Sequence, residues 1–414
     1  MRRIMASLDI GSGSIKLIVG EIIKKKLNVL AATEVPSKGI KKGIVINPEL
    51  LSEAIKQVIK NGEEIVGLKI RKVIVTVPSQ NAEFAVIEGS IKITNEDGSI
   101  QGSDIIHVLQ NAVKGKVPDN MEVILLMPTA FRLNEDQFVK EPKNMMAESL
   151  SVKAVLITAP KKIIYPYLEC LQKNNVEVLD IAFSSVGDYY EFQNKETDEQ
   201  IGAIINLGES TTSLSIFNKG VLTNTEILDL GGKNVDDDIS FIYKLTRSDA
   251  KTLKESLALA HKRAAQVGIS EEVTNKLGEI IKINQYELSE IVMSRLTEIL
   301  NLAKKQINVL TKKEISYIIF TGGLTELIDF SIILEEIFGR NVILGHIEEL
   351  GARHNKFSSS LGLIKYYDNK SKLKDKEVSI FSSSEQEELG GLEKRININE
   401  NSILGKLFGY FFDN

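Results

Sequence analysis

Two stretches of this chain, almost two hundred residues apart, read as copies of one device, and they constrain the fold more than anything else in it. Residues 6–21 run ASLDIGSGSIKLIVGE and residues 203–220 run AIINLGESTTSLSIFNKG. Each is an apolar strand, a tight turn of Gly, Ser and Thr, and a second strand going back. A duplicated turn of this kind suggests two lobes closing on one phosphate chain, one turn from each side. Gly11 and Gly13 let the backbone approach an anion, and free amides with the Ser12 and Ser14 hydroxyls can bind phosphate oxygens. Gly208, Ser210, Thr211 and Thr212 can do the same from the other side. Either turn alone would pass for an ordinary hairpin. Their repetition, with a third turn at Thr321-Gly322-Gly323, argues against that plainer reading.

The copies differ at one position. Asp9 ends the first strand, where it can hold magnesium through waters, because Mg²⁺ keeps several waters and needs few protein ligands. Asn206 stands at the matching place and is a weakened equivalent. A carboxylate that merely caps its own turn is the alternative for Asp9.

Composition limits the partners. The chain has 414 residues, long enough for two or more domains with real cores. Its formal net charge of −5 argues against nucleic acid as the main partner, since phosphate backbones need clustered Lys and Arg. The single cysteine, Cys170, excludes an internal disulfide and falls in an apolar helical pattern, so it is expected in the core. The four histidines, His107, His261, His346 and His354, show no metal-ligand spacing. No secretory leader and no run of about 18–20 apolar residues is evident, so a cytoplasmic protein with at most peripheral membrane contact is expected.

Along the chain, strands over 4–10, 14–22 and 27–35 are followed by a helix from Pro48 and a strand over 71–79. Residues 80–159 have another texture, a small α+β insertion without a phosphate turn of its own. Helix, strand (176–183) and helix lead into the second glycine turn. Residues 233–310 read as mostly helical, and Asp236-Asp237-Asp238 as a charge set complementing a helix N-terminus rather than a metal site. Lys254, alone, reads as a solvated surface lysine, although its helix can bring it to a ribose or base. The ordered part is expected to close with a helix over 357–367. Residues 368–401 are polar and of mixed charge, the composition of a flexible linker. Hydrophobicity then returns in NSILGKLFGYFFDN. Wound as a helix, Ile403, Leu404, Leu407, Phe408, Tyr410, Phe411 and Phe412 cover one broad face, suited to a lipid surface or a partner groove.

These residues, in this order, resemble the actin and Hsp70 ATPase superfamily, and within it the FtsA family of bacterial cell-division proteins. LDIGSGSIKLIVGE is similar to the first phosphate motif and INLGESTTSLSIF to the second. FSSVGDYYEF resembles the first hinge helix, IIFTGGLTEL the adenosine motif and SSSLGLIKYY the second hinge helix. GGKNVDDDI with DAKTLK resembles the run leading to a nucleotide-contacting lysine, here Lys254. The resemblance implies a two-lobed actin-like α/β fold with an α+β insertion in the first lobe and a C-terminal amphipathic helix on a flexible linker. It divides the chain into 1–79 with 160–184 (first-lobe core), 80–159 (insertion), 185–232 with 311–367 (second-lobe core), 233–310 (helical subdomain), 368–401 (linker) and 402–414 (membrane helix). It implies ATP and Mg²⁺ as ligands, adding Lys16, Gly231 and Gly232 to the contacts named above. It further implies self-assembly into filaments and capture of the C-terminal peptide of the tubulin-like FtsZ. Other division proteins are expected on the insertion, and a location on the cytoplasmic side of the membrane at the septum.

Three departures bear on chemistry. The family usually has Asp where this chain has Asn206, a small residue where it has Glu209, and Glu where it has Lys251. Binding is expected to survive these changes better than hydrolysis, and Asn206→Asp to raise turnover if the site is otherwise sound. Within the fold, the alternative is an actin-like protein of pilus assembly, which resembles this family but typically lacks the amphipathic tail. A sugar or acetate kinase would need a general base that neither turn supplies. An Hsp70 chaperone would need a substrate domain after the ATPase.

Overall fold

The first glycine turn is built by register. β1 (Arg3–Ile10) and β2 (Ser14–Ile23) pair antiparallel down to Ile10 opposite Ile15, leaving residues 11–13 to close the hairpin. The computed structural model describes residues 3–95, 97–134, 136–373, 379–382, 384–386 and 389. Lys24 and Lys25, both in the left-handed region at φ 48° and 70°, turn the chain into β3 (Lys26–Pro36). Two short strands, β4 (Ile40–Lys41) and β5 (Ile44–Val45), precede α1 (Pro48–Val66). That helix starts where the sequence places it: Asn47 accepts from the Leu50 amide, and Pro48 fills the first turn. Its buried stripe of Leu51, Ala54, Ile55, Val58 and Ile59 packs under the sheet, and β6 (Lys72–Val77) returns parallel to β1.

The insertion follows as β7 (Glu83–Lys92), α2 (Gly102–Val113), β8 (Met121–Leu133), β9 (Gln137–Val139) and β10 (Ser149–Pro160). Its sheet, in the order β7-β10-β8-β9, has a core of its own that includes Ile100, Ile105, Val108, Leu133 and Leu150. The chain then regains the first lobe through α3 (Lys161–Lys173) and β11 (Glu177–Phe183), with Cys170 fully buried on α3. α4 (Ser184–Phe192) leads across to the second lobe.

That lobe opens with β12 (Ile201–Leu207), β13 (Thr212–Asn218) and β14 (Val221–Leu228), then α5 (Gly232–Tyr243) and α6 (Arg247–Leu257). A hairpin of β15 (Ser270–Thr274) and β16 (Ile280–Asn284) comes next, followed by α7 (Gln285–Leu310), whose buried stripe runs from Leu288 to Ile307. β17 (Tyr317–Thr321), α8 (Phe330–Phe338), β18 (Val342–Leu344) and α9 (Ser358–Leu373) complete the order.

The duplication suggested by the two turns is present in the topology. The first sheet runs β3-β2-β1-β6-β11 and the second β14-β13-β12-β17-β18: an antiparallel meander of three strands, then two strands added parallel to its first. Between them lie α4 and α9. One continuous core joins Ile18 and Ile74 of the first sheet to Ile204, Phe217 and Ile319 of the second through Phe183, Val186, Leu361 and Ile364. The two helices touch backbone to backbone. A Cβ on Gly362 would stand 1.7 Å from the Gly187 carbonyl oxygen, so neither position admits a side chain.

Residues 233–310 are mostly helical, as expected, with the β15–β16 hairpin as an interruption; its strands are largely polar, with only Ile283 fully buried, so they carry little alternation. Two expectations need correction. The last helix does not end at 367 but runs to Leu373. The segment read as linker is partly docked. The Ile380 amide donates to the Ile4 carbonyl at 2.9 Å, Ile380 and Phe381 are buried in the first-lobe core, and Glu385 pairs with Arg71. The candidate membrane helix, with Ile403, Leu404, Leu407, Phe408, Tyr410, Phe411 and Phe412, lies outside the described residues.

Candidate functional site

Because β1–β2 and β12–β13 hold equivalent places in the two sheets, their turns meet across one cleft. A cavity of about 790 Å³ lies between the lobes. From the first turn it is lined by Asp9, Gly11, Ser12, Gly13, Ser14 and Lys16, and from the second by Asn206, Gly208, Ser210 and Thr211. Gly232, Lys254, Gly322 and Gly323 complete the wall among the residues expected there. Thr212, Gly231 and Thr321 stand behind it instead. The buried Thr212 hydroxyl donates to the Leu230 carbonyl at 2.8 Å, and that of Thr321 to Ser358 Oγ at 3.0 Å. Gly231 lets the start of α5 lie against the second turn: its Cβ would fall 2.6 Å from the Gly208 oxygen. The Gly232 and Lys233 amides then donate to the Gly208 and Glu209 carbonyls.

Asp9 is held from two directions. Thr76 Oγ donates to Oδ1 at 2.8 Å and Lys16 Nζ to Oδ2 at 3.2 Å, while the Ile10 amide donates to Thr76 Oγ. Thr76 was not among the expected residues, although a threonine inside the otherwise apolar KVIVTV strand is a signal of its kind. Asn206, the expected weakened metal position, lines the cavity but gives its amide group to the hinge. Its Nδ2 donates to Asp188 Oδ2 at 2.8 Å and lies 3.4 Å from Ser359 Oγ, while its Oδ1 lies against Gly322. Among the described residues no three metal-binding side chains converge. The donors fit an ion delivered with a ligand and its own waters, with Asp9 as the carboxylate that the first hairpin itself supplies.

Lys254 is not a solvated surface lysine. It is buried on α6 and pairs at 2.7 Å with Asp236 of α5, itself buried. Burial raises the Asp236 carboxyl above the usual range, and the Lys254 charge opposes that rise without cancelling it. The acidic run is thus no simple dipole set: Asp237 pairs with Arg247 and Asp238 with Arg295 through two hydrogen bonds. Across the cleft Glu34 pairs with Lys356. Burial alone would raise Glu34, but Lys356 and the Ser14 hydroxyl hold it below its ordinary value. Burial lowers His354, against the pull of Glu326.

Glu209 and Lys251, two of the three positions expected to depart from the family pattern, face one another at 3.7 Å between the cleft wall and α6. Behind the second turn sits the residue that sequence reasoning passed over. Asp188 on α4 is fully buried and accepts from Asn206, Ser358 (2.6 Å) and Ser359 (2.8 Å), so one carboxylate joins both hinge helices to β12. Burial still pushes it up to about 6, with the hydrogen bonds opposing and the Asp9 charge adding to the rise.

Comparison with known proteins agrees with this architecture. The family model described as "Cell division protein FtsA" matches residues 203–362, and "SHS2 domain inserted in FTSA" matches residues 79–158. The cell division protein FtsA of Bacillus subtilis is 26% identical over 362 residues, 87% of this chain and 82% of that protein. That of Streptococcus pneumoniae is 28% identical over 365 residues, 87% and 79%. Among solved structures, a PilM-PilN type IV pilus biogenesis complex superposes with a TM-score of 0.58 at 16% identity, over 87% of this chain and 97% of that one. MreB5 of Spiroplasma citri bound to ADP gives 0.54 at 12% identity, over 90% and 98%. These likenesses show an actin-like fold. The duplicated sheets, the inserted domain matched by its own family model, and relatives aligned over most of both lengths lead to one conclusion: the chain belongs to the FtsA family of cell-division proteins.

Proposed function

We propose that the protein is a nucleotide-dependent division scaffold: it binds ATP with Mg²⁺ in the interlobe cleft, polymerises, and holds FtsZ at the inner face of the cytoplasmic membrane. The observation that carries this reading is the pair of glycine turns facing each other across one cavity, with Lys16 and Asp9 on one side and α5 on the other. Asn206 offers a neutral amide where a carboxylate would hold a metal more firmly, and its Nδ2 is taken by Asp188, which favours holding nucleotide over cleaving it. In this reading 1–79 with 160–184 and 185–232 with 311–367 form the two jaws. Residues 80–159 and 233–310 are the outlying subdomains, and 402–414 are the membrane anchor.

The outlying subdomains carry apolar surface available to partners. Phe241 and Ile242 on α5 are exposed, and the Lys276 amide donates to the Lys244 carbonyl, bringing Leu277 of the hairpin alongside. This patch suits an apolar peptide such as the FtsZ tail, and exposed Phe138 and Met146 of the insertion suit filament or division partners. The test is capture of a C-terminal FtsZ peptide by protein lacking residues 402–414, with liposome co-sedimentation of both forms. Capture without sedimentation by the truncated form is expected; sedimentation unaffected by the truncation would overturn the anchor.

A further inference from the structure

The Glu209 side chain lies flat against Gly13 of the opposite turn. A Cβ at Gly13 would come within 2.3 Å of Glu209 Oε2 and 2.7 Å of its Cδ, so only the missing side chain at 13 makes room for the carboxylate. Glu209 Oε2 also faces Lys251 Nζ at 3.7 Å, and all three residues line the cavity. The turn that should offer amides to a phosphate therefore already has an anion from its own protein beside it. Carboxylate and phosphate oxygens compete for the same donors, and like charges at a few ångströms repel, here partly screened because the Glu209 side chain is 40% exposed.

We propose that Glu209 sets the phosphate-length preference of the cleft: its carboxylate takes the space between the two turns, so the site admits a nucleoside diphosphate and disfavours the extra phosphate of a triphosphate. This rests on the cleft being the nucleotide site. Lys251 moderates the effect by partly neutralising Glu209. Glycine at 13 is required for the seat of this side chain.

The experiment measures Kd for Mg-ADP and Mg-ATP with the full chain by competition against a fluorescent nucleotide. In the unaltered protein ADP is expected to bind about tenfold tighter than ATP or better. Glu209→Gln, which keeps the shape and removes the charge, and Glu209→Gly, which clears the space, should each shift the ATP:ADP affinity ratio about tenfold toward ATP, roughly 1.4 kcal/mol. Lys251→Ala should shift it the other way. An unchanged ratio in both Glu209 variants, with ADP still bound, overturns the proposal and leaves the nucleotide site intact. A fall in ATP affinity on Glu209→Gln overturns it differently, by making Glu209 a metal-holding group. Binding of neither nucleotide by the unaltered chain removes the underlying reading of the cleft, and the proposal with it.

Discussion

Asn206 near the end of β12 donates its amide to Asp188 of α4 at 2.8 Å, so a residue expected from the resemblance to be a carboxylate is here the neutral partner of one. The resemblance implies a weakened metal position there, and the structure adds a hinge contact. Asn206→Asp would set a second carboxylate against a buried one, and the two cannot both ionise at that separation. Unfolding in urea should show a loss of about 2–3 kcal/mol at pH 8, shrinking as the pH falls. A fully stable variant with faster phosphate release would instead restore the metal reading.

Asp188 makes stability depend on pH. Its folded value is raised from 3.8 to about 6, above that of the unfolded chain, so its contribution is greatest below pH 3.8 and is lost as pH rises through about 6. The loss should be at most about 3 kcal/mol. Glu191, raised by burial to about 8 despite Lys365, extends the decline to higher pH. Urea midpoints from pH 4 to 7 should fall in the unaltered protein, and Asp188→Asn should flatten the curve. The same slope in both proteins would contradict this assignment.

Lys254→Ala would leave Asp236 buried without its cation. Breaking such a pair costs roughly 3–5 kcal/mol, whereas replacing both partners with apolar groups of matching volume is often neutral. Chemical denaturation of Lys254→Ala and of Lys254→Met with Asp236→Leu should separate those outcomes. Equal stability of all forms would mean that the pair is not shielded from water.

The Gly187–Gly362 contact leaves no room for a methyl group. Gly362→Ala should cost roughly 3 kcal/mol, the upper part of the usual overpacking range. Gly268→Ala, where a Cβ meets nothing within 4 Å, should be close to silent. Thermal unfolding of the two variants checks this.

Phe381→Ala should release the docked segment without unfolding the lobes. Amide exchange at Ile380, protected by its bond to Ile4, should accelerate at least about tenfold while protection in β1 is retained. Unchanged exchange at Ile380 would show that Phe381 does not hold it.

What could be read from the chain beforehand follows a physical division. The paired turns, the start of α1 and the long stripe of α7 are local patterns, in which each residue's role is set by neighbours a few positions away. The partners of Asp236, Asp237 and Asp238 lie 10–57 residues further on, at Lys254, Arg247 and Arg295, and no local spacing announces them. Ile380 and Phe381 are too short an apolar run to stand out in a polar segment, and only the sheet edge they meet gives them meaning. Asp188 shows the same limit. An aspartate on a short helix reads as surface until Asn206, Ser358 and Ser359 close around it.

The docked segment also fixes a load path. Ile380 and Phe381 pin it in the first-lobe core, with the Ile380 amide on the Ile4 carbonyl of β1, the strand that carries Asp9. Tension applied from beyond Leu389 therefore meets the first lobe first. The second lobe and its helical block receive that pull only through the shared core around α4 and α9.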